Sequence, residues 1–564
     1  MQTIETKLNT QAPAVRTAGL RLPSNWTALG WLVALLVIMP IAAVIWLAFN
    51  PSENIWPHLI SSVLPVYVES TLLLLAGVGA LSLFIGVSTA WLVTLCNFPG
   101  RRVFEWALLL PFAIPAYVIA YIYTDLLEYA GPVQSGLREF FGWSSARDYS
   151  FPEIRSLGGA VLMLSLVLYP YVYLLARSSF LEQSINIRDA SRTLGCSAWQ
   201  SFFRISLPVA RPAIAVGLAL VAMETLNDFG TVDFFAVKSL SAGIYDAWLN
   251  MSNLGAAAQI ATLMMLFVVL FIWLERTSRA KAKQFSGADR FKRLERYNLT
   301  GGKAVAATLL CLAPVLFGFL VPLAELGSMT LNHLDQFSDS RFLQQASNSF
   351  LLSSGAAIFT AILALLLAYS QRLNPNLTGL RFAAKLAHLG YALPGAVLAI
   401  GVIIPFAAFD NTLDSWMRDT FDISTGLLLS GTPFAILFAY SVRFLAVSSG
   451  SIESSLAKVT PSMDMASRSL GANSFDTLKR VHLPLIRTGL LTALLVVFVD
   501  SMKELPATLI LRPFNFDTLA TAVYQFASDE KLEAAAPGSL LIVLVGIIPV
   551  ILLSRTITAT RDAS

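Results

Sequence analysis

The chain has 564 residues, of which 56% are hydrophobic and 13% charged, and its formal net charge is +4. Soluble domains carry roughly 25% charged residues, so this composition and a mean hydropathy of +0.66 exclude a soluble globular fold. Three cysteines without C-x-x-C spacing (Cys96, Cys196, Cys311) imply no disulfides, and four scattered histidines argue against a histidine-built metal site.

A helix needs about 20 apolar residues to cross the hydrocarbon. A polar stretch, 1–29, comes first and reads as a retained cytoplasmic tail rather than a signal peptide. Six spans follow at 30–49, 70–94, 104–125, 157–176, 208–227 and 258–274. A basic, glycine-containing stretch, 276–304, reads as a cytoplasmic linker between a first half, 30–275, and a second half, 305–564. The second half gives spans at 305–324, 349–370, 386–408, 425–447, 485–505 and 537–554. The expected fold is therefore an all-α polytopic membrane protein with about twelve transmembrane helices. Lys and Arg concentrate on the cytoplasmic side of membranes. With both termini cytoplasmic, 30 of the 39 fall in inner loops, tails and inner span ends. The positive charge thus reflects topology and not nucleic-acid binding.

One inner loop occurs twice, 276 residues apart. Ala190-Ser-Arg-Thr-Leu-Gly195 continues to Arg204-Ile-Ser-Leu-Pro208, and Ala466-Ser-Arg-Ser-Leu-Gly471 continues to Arg480-Val-His-Leu-Pro484. Over 22 aligned positions nine are identical, so the chain is internally duplicated. Glu69-Ser70 aligns with Asn348-Ser349, and Leu110-Pro-Phe-Ala-Ile-Pro115 is echoed by Tyr391-Ala-Leu-Pro394, both at an offset of 279. Two six-helix repeats of the same topology should pack about a pseudo-two-fold axis along the membrane normal. Each loop is expected to form two short helices broken at Gly195 or Gly471. The second of these has an apolar stripe (Trp199, Phe202, Ile205; Phe475, Leu478, Val481), and the next span begins at Pro208 or Pro484.

This pattern, Ala-x-x-x-x-Gly followed by nine residues and Ile/Val-x-Leu-Pro, resembles the coupling loop of bacterial ABC-transporter permeases. The resemblance implies that Asp189, Ala190, Ser191, Gly195, Ile205, Leu207 and Pro208 form one dock for an ATP-binding subunit. Met465, Ala466, Ser467, Gly471, Val481, Leu483 and Pro484 would form the other. The family's leading Glu is Asp189 in the first copy and Met465 in the second, which puts a salt bridge there in doubt. No G-x-x-x-x-G-K-[ST] occurs, so ATP and Mg would be used by two copies of a separate subunit, with no cofactor bound by this chain.

Just after each loop a span carries acids. Glu224 and Asp228 are four residues apart, hence on one helical face, and the same offset of 276 leads to Asp500 and Glu504. Charge inside the membrane is costly, so either a water-filled pathway or a gate of ion pairs is expected. Lys503 lies on a different face from Glu504 and is expected to pair across the interface between the halves. The sequences around these acids, 224–235, 243–248 and 503–513, resemble the ferric iron(III) subfamily of fused permeases. That resemblance implies import of ferric iron from a periplasmic binding protein across the bacterial inner membrane, with transient contacts to Glu224, Asp228, Asp500 and Glu504. Arg512 and the outer acids Glu128, Glu139, Asp148 and Glu153 would receive the binding protein. Thiamine or another small solute in the same importer class stays open, as does a proton-coupled secondary transporter. A membrane enzyme lacks any nucleophile–base or metal constellation.

Overall fold

The computed structural model describes residues 25–51, 55–183, 197–280 and 296–562. Most of the tail (1–24), part of the linker (281–295), and Asp189, Ala190, Ser191, Gly195 and Cys196 of the first repeated loop lie outside the described residues. Among the described residues eleven helices are long and apolar enough to cross a membrane, and one bent pair, taken as a single span, makes a twelfth. They are α1 (Asn25–Phe49), α2 (Leu64–Leu95), the bent pair α3 (Arg101–Ala113 with Ala116–Phe141), α4 (Leu157–Leu181), α5 (Trp199–Asn227) and α6 (Leu254–Leu274). The second half supplies α7 (Gly302–Asn332), α8 (Ser340–Leu373), α9 (Gly395–Phe421), α10 (Phe434–Leu456), α11 (Ser474–Met502) and α12 (Leu532–Ile551). The all-α polytopic architecture is as expected, and three of the expected spans differ in detail.

The span expected at 104–125 is broken, its two pieces meeting at 91°. Its counterpart at 386–408 is broken in the same place, with a short 3-10 turn, His388–Ala392, before α9 starts at Gly395. The cause is the proline of the duplicated motif. Ile114 and Leu393, each preceding it, are extended at ψ 124 and 134, because the proline ring excludes the helical conformation for its predecessor. Pro115 and Pro394 then adopt nearly the same backbone, φ −61 and −59 with ψ 143 in both.

The span expected at 425–447 lies nine residues later, at Phe434–Leu456. The apolar residues 427–429 belong instead to a turn held by two carboxylates of α9. Asp410 accepts the backbone N–H groups of Leu429 (3.0 Å) and Ser430 (2.7 Å), and Asp414 accepts those of Thr425 (2.7 Å) and Gly426 (3.0 Å). Pro433 then starts the helix, where its missing N–H costs nothing.

The short helix after each glycine is not separate from the next span. In α5 the π-turn Phe202–Ser206, and in α11 the π-turn Leu478–His482, carry the helix straight through. Leu207 and Leu483 donate to the carbonyls of Phe202 and Leu478, one residue further back than in an α-helix. Pro208 and Pro484 follow at once, and a proline ring would clash with the carbonyl four residues earlier in a tight α-turn. The wider turn relieves the clash, and the duplication preserves it at the same offset.

Two hydrophobic cores form, and neither coincides with a sequence half. The first joins α2–α5 to α7 and α12, and the second joins α8–α11 to α1 and α6. The outer spans of each half therefore pack on the inner spans of the other. At the α1–α9 crossing, a β-carbon on Gly401 would sit 2.3 Å from the Pro40 carbonyl oxygen, so only glycine permits this approach. A matched hydrogen bond recurs in the two halves: Leu240 donates to Thr71 Oγ1 (2.9 Å) and Leu519 to Ser349 Oγ (2.7 Å). The counterpart of Ser349 in this role is Thr71, one residue beyond the Ser70 that the alignment pairs with it.

Candidate functional site

The four acids and Lys503 all line one cavity of about 120 Å³ between the halves, together with Tyr117, Tyr171, Asn227, Tyr391 and Arg443. The two acids of a pair do not share one helical face, as their four-residue spacing implied. Glu224 and Asp500 are on α5 and α11, but the α5 helix ends at Asn227 and Asp228 is extended at ψ 127. Glu504 likewise lies beyond the end of α11. The chain turns back here into the short helices Gly230–Phe234 and Pro506–Leu511. Each acid satisfies the free N–H groups that such a helix start exposes. Asp228 accepts Thr231 N (3.1 Å), Val232 N (3.2 Å) and the Thr231 hydroxyl (3.0 Å). Glu504 accepts Ala507 N (3.1 Å), Thr508 N (3.3 Å) and the Thr508 hydroxyl (3.0 Å). The two acids are the same structural device, 276 residues apart.

Their charges are balanced differently. Arg443, in the middle of α10, donates from Nη1 to Glu504 Oε1 (3.1 Å) and to Asn227 Oδ1 (2.8 Å), while its Nη2 lies 4.0 Å from Glu224. Lys503 pairs with Asp500 of its own span at 3.1 Å, not with an acid of the other half; across the interface it meets the face of Phe112, at 4.5 Å. An ion pair within one turn satisfies a costly buried charge without crossing the interface. Tyr391 donates weakly to Glu224 (3.5 Å), and Asn227 also accepts the Gly395 N–H (2.7 Å). The sequence reading missed Arg443, Asn227, Tyr117 and Tyr391. For Arg443 the signal was a charge in an apolar run. Placing that span nine residues early set it at the inner end, where arginine is ordinary.

The second repeated loop is fully described. The helix Pro461–Ser469 ends at Leu470, and Gly471 takes the left-handed φ of +83. Gly471 N donates to Arg468 O (3.0 Å) and Ala472 N to Ser467 O (3.1 Å), the paired closure that a glycine at this position allows. Ser467 is buried, its hydroxyl 2.9 Å from that of Thr477. Arg372 at the end of α8 clamps the loop, reaching the carbonyls of Leu456 and Val459 (both 2.7 Å) and Asp464 (3.0 Å). His482 Nε2 lies 2.6 Å from the other Asp464 oxygen. Burial alone raises the Asp464 pKa, but the hydrogen bonds from Arg372 and His482 outweigh it and hold the carboxyl below its usual range. Met465 and Leu470 are exposed, at 63% and 89%, as are Met463 and Phe475. Of the expected stripes, Phe202 and Leu478 are buried while Trp199 and Phe475 face outward. Ile205, Leu207, Pro208, Val481, Leu483 and Pro484 sit in or beside the π-turns.

On the opposite face, Arg512 is paired with Asp517 and Glu128 with Arg155 (2.7 Å). Asp148 is held by the backbone N–H groups of Ser144 and Ser145, which lower its pKa.

The profile described as binding-protein-dependent transport system inner membrane component matches residues 82–283. The molybdenum transport system permease protein ModB of Haemophilus influenzae is 30% identical over 219 residues, covering 37% of this chain and 92% of its own. The chain belongs to this family. It is an inner-membrane permease of a transport system, and the second half repeats the architecture of the matched one. Two longer relatives span most of it. The Fe(3+)-transport system permease protein FbpB 2 of Haemophilus influenzae is 27% identical over 493 residues, 86% of this permease and 89% of that protein. The ferric transport system permease protein FbpB of Actinobacillus pleuropneumoniae is 25% identical over 548 residues, 91% and 75% respectively.

Proposed function

We propose that the permease passes ferric iron, delivered by a periplasmic binding protein, into the cytoplasm, driven by separate ATPase subunits. The central cavity carries this reading, because four carboxylates there face two cations. A hard cation favours oxygen ligands, and carboxylates and a phenol supply them. The two FbpB proteins, whose names specify ferric transport, are similar over most of this chain. The exposed apolar rim of the glycine-closed loop suits docking of an ATPase, and the duplication calls for two copies. ATP and Mg would be used in those subunits, with no cofactor held and no reaction catalysed by the permease itself. The Lys and Arg distribution supports cytoplasmic termini and cytoplasmic loops.

Import of an oxyanion is the second reading. ModB proteins and the sulfate transport system permease protein CysT of Escherichia coli are also similar to it, and Arg443 and Lys503 are cations. Both are already matched by carboxylates, which weighs against an anion. Reconstitution in proteoliposomes with its ATPase and binding protein tests the assignment. ATP-dependent accumulation of radiolabelled ferric iron is the expected result. Uptake without the ATPase, or uptake of molybdate or sulfate but not ferric iron, overturns it.

A further inference from the structure

The cavity is pseudo-symmetric in its acids and asymmetric in its cations. Both cations come from the second half. At the repeat offsets of 276 and 279, Lys503 corresponds to Asn227, and Arg443 to Val167 or Leu164. All three of those residues line the same cavity and none is charged. The second-half acids are accordingly each matched at 3.1 Å, Asp500 by Lys503 and Glu504 by Arg443. The first-half acids are not. Glu224 has Arg443 no closer than 4.0 Å, and Asp228 has the backbone and hydroxyl donors of its own turn.

An independent observation concerns the same cavity. Tyr117 lines the cavity, is 5% exposed, and its hydroxyl has no hydrogen-bond partner among the described residues. Leaving a buried hydroxyl unpaired is costly, so such a group is expected to have a ligand at some stage of the cycle. Tyr117 directly follows the proline break of α3, which turns this helix into the cavity beside Gly230, the start of the helix that Asp228 caps.

We propose that Glu224, Asp228 and Tyr117 form a one-sided transit site for a hard trivalent cation, with Arg443 and Lys503 as fixed counter-ions that silence the second-half acids. This rests on the ferric reading of the cavity. The three oxygen-bearing side chains are too few to cage such an ion. Among the described residues no group of three or more His, Cys, Asp or Glu is placed to hold a metal. That suits passage, since conduction requires a site weak enough to release what it binds. The asymmetry also sets the charge: a third cation at Leu164 would close the open side.

The complete transporter, with ATPase and binding protein, tests this in proteoliposomes through the rate of ferric uptake. D228N and E224Q should each lower uptake by at least about tenfold, a loss corresponding to one hydrogen bond or contact to a charged group. Y117F, which removes one oxygen without changing the packing, should lower it about threefold to tenfold, and L164R should abolish it. The neutral pair R443Q/E504Q should cost less than D228N, because it deletes a self-compensated pair. Elution of each variant as an intact complex with its ATPase excludes misfolding. Absence of uptake by the wild-type complex overturns the substrate reading. Normal wild-type uptake with an unaffected Y117F, or with R443Q/E504Q falling as far as D228N, overturns the one-sided site.

Discussion

At the scale of single residues, the proposed docking loop rests on one backbone angle, that of Gly471. Nothing lies within 4 Å of where its β-carbon would stand, so space is not the constraint. The φ of +83 is, since the left-handed conformation costs an ordinary residue about 1–2 kcal/mol. A branched side chain should open the closure between Ala472 and Ser467 and tilt the exposed rim of Met465 and Leu470. We expect G471V to insert and assemble normally but to move several-fold less substrate per ATP hydrolysed. G471N should fall between the two, because asparagine tolerates this conformation better than other residues. Uptake and hydrolysis measured on the same proteoliposomes check this, and equal coupling in G471V and wild type would remove the rigid turn from the mechanism.

At the scale of elements, the π-turns of α5 and α11 link each proposed docking segment to the span that bears Glu224 or Asp500. Under the proposed docking, movement at the loop would pass along one continuous helix to the cavity. Replacing Pro208 and Pro484 by Ala restores an N–H and removes the ring clash, so both turns are free to tighten to α-geometry. Losing one residue of register rotates the preceding segment by about 100° relative to the span. The double variant should keep its fold and lose coupling several-fold; unchanged coupling would show that the orientation of the docking segment is not set there. The duplication, the break at Gly471 and the recurrence of the acids at one offset were legible in the sequence, because each is written in residue identity. The shared helical face expected for each pair was not found. The continuity of α5 and α11 was not legible, since a proline reads as a helix start and only the wider turn lets the helix pass through it. Arg443 was hidden for a related reason. Asp410 and Asp414 bind a turn whose apolar residues look like the beginning of a span, so the register of α10 was set too early. The Lys503–Asp500 pair was missed because the reading weighed Lys503 against Glu504 alone, although Asp500 lies three residues before it on the same turn.

At the scale of the molecule, the exchange of outer spans decides what can fold alone. α1 and α6 belong to the core of the second half, and α7 and α12 to that of the first. A first half produced by itself would leave the surfaces of α3 and α4 that receive α7 and α12 facing lipid, among them the Phe317 carbonyl's partner Tyr123. Its α1 would lose Ser370 of α8 and Asn374 just after it, which bond to the Trp26 carbonyl (2.6 Å) and the Thr27 hydroxyl (2.9 Å). Helix association in lipid relies on packing and on such hydrogen bonds, since the bilayer is as apolar as the helices. Each half expressed alone, from a chain divided within the linker, should accordingly be degraded or purify as aggregate. The two halves produced together should recover a stable complex and measurable uptake, because the interleaved surfaces and not the covalent linker hold them. Size-exclusion chromatography of the separate and co-produced halves, followed by uptake, makes the comparison. A first half that is monodisperse and protease-resistant by itself would contradict the exchanged cores. The cavity sits where the two composite cores meet, so its walls move only as those cores move. With ATPases docked as proposed, a pull on either repeated loop would act on both sides of the cavity.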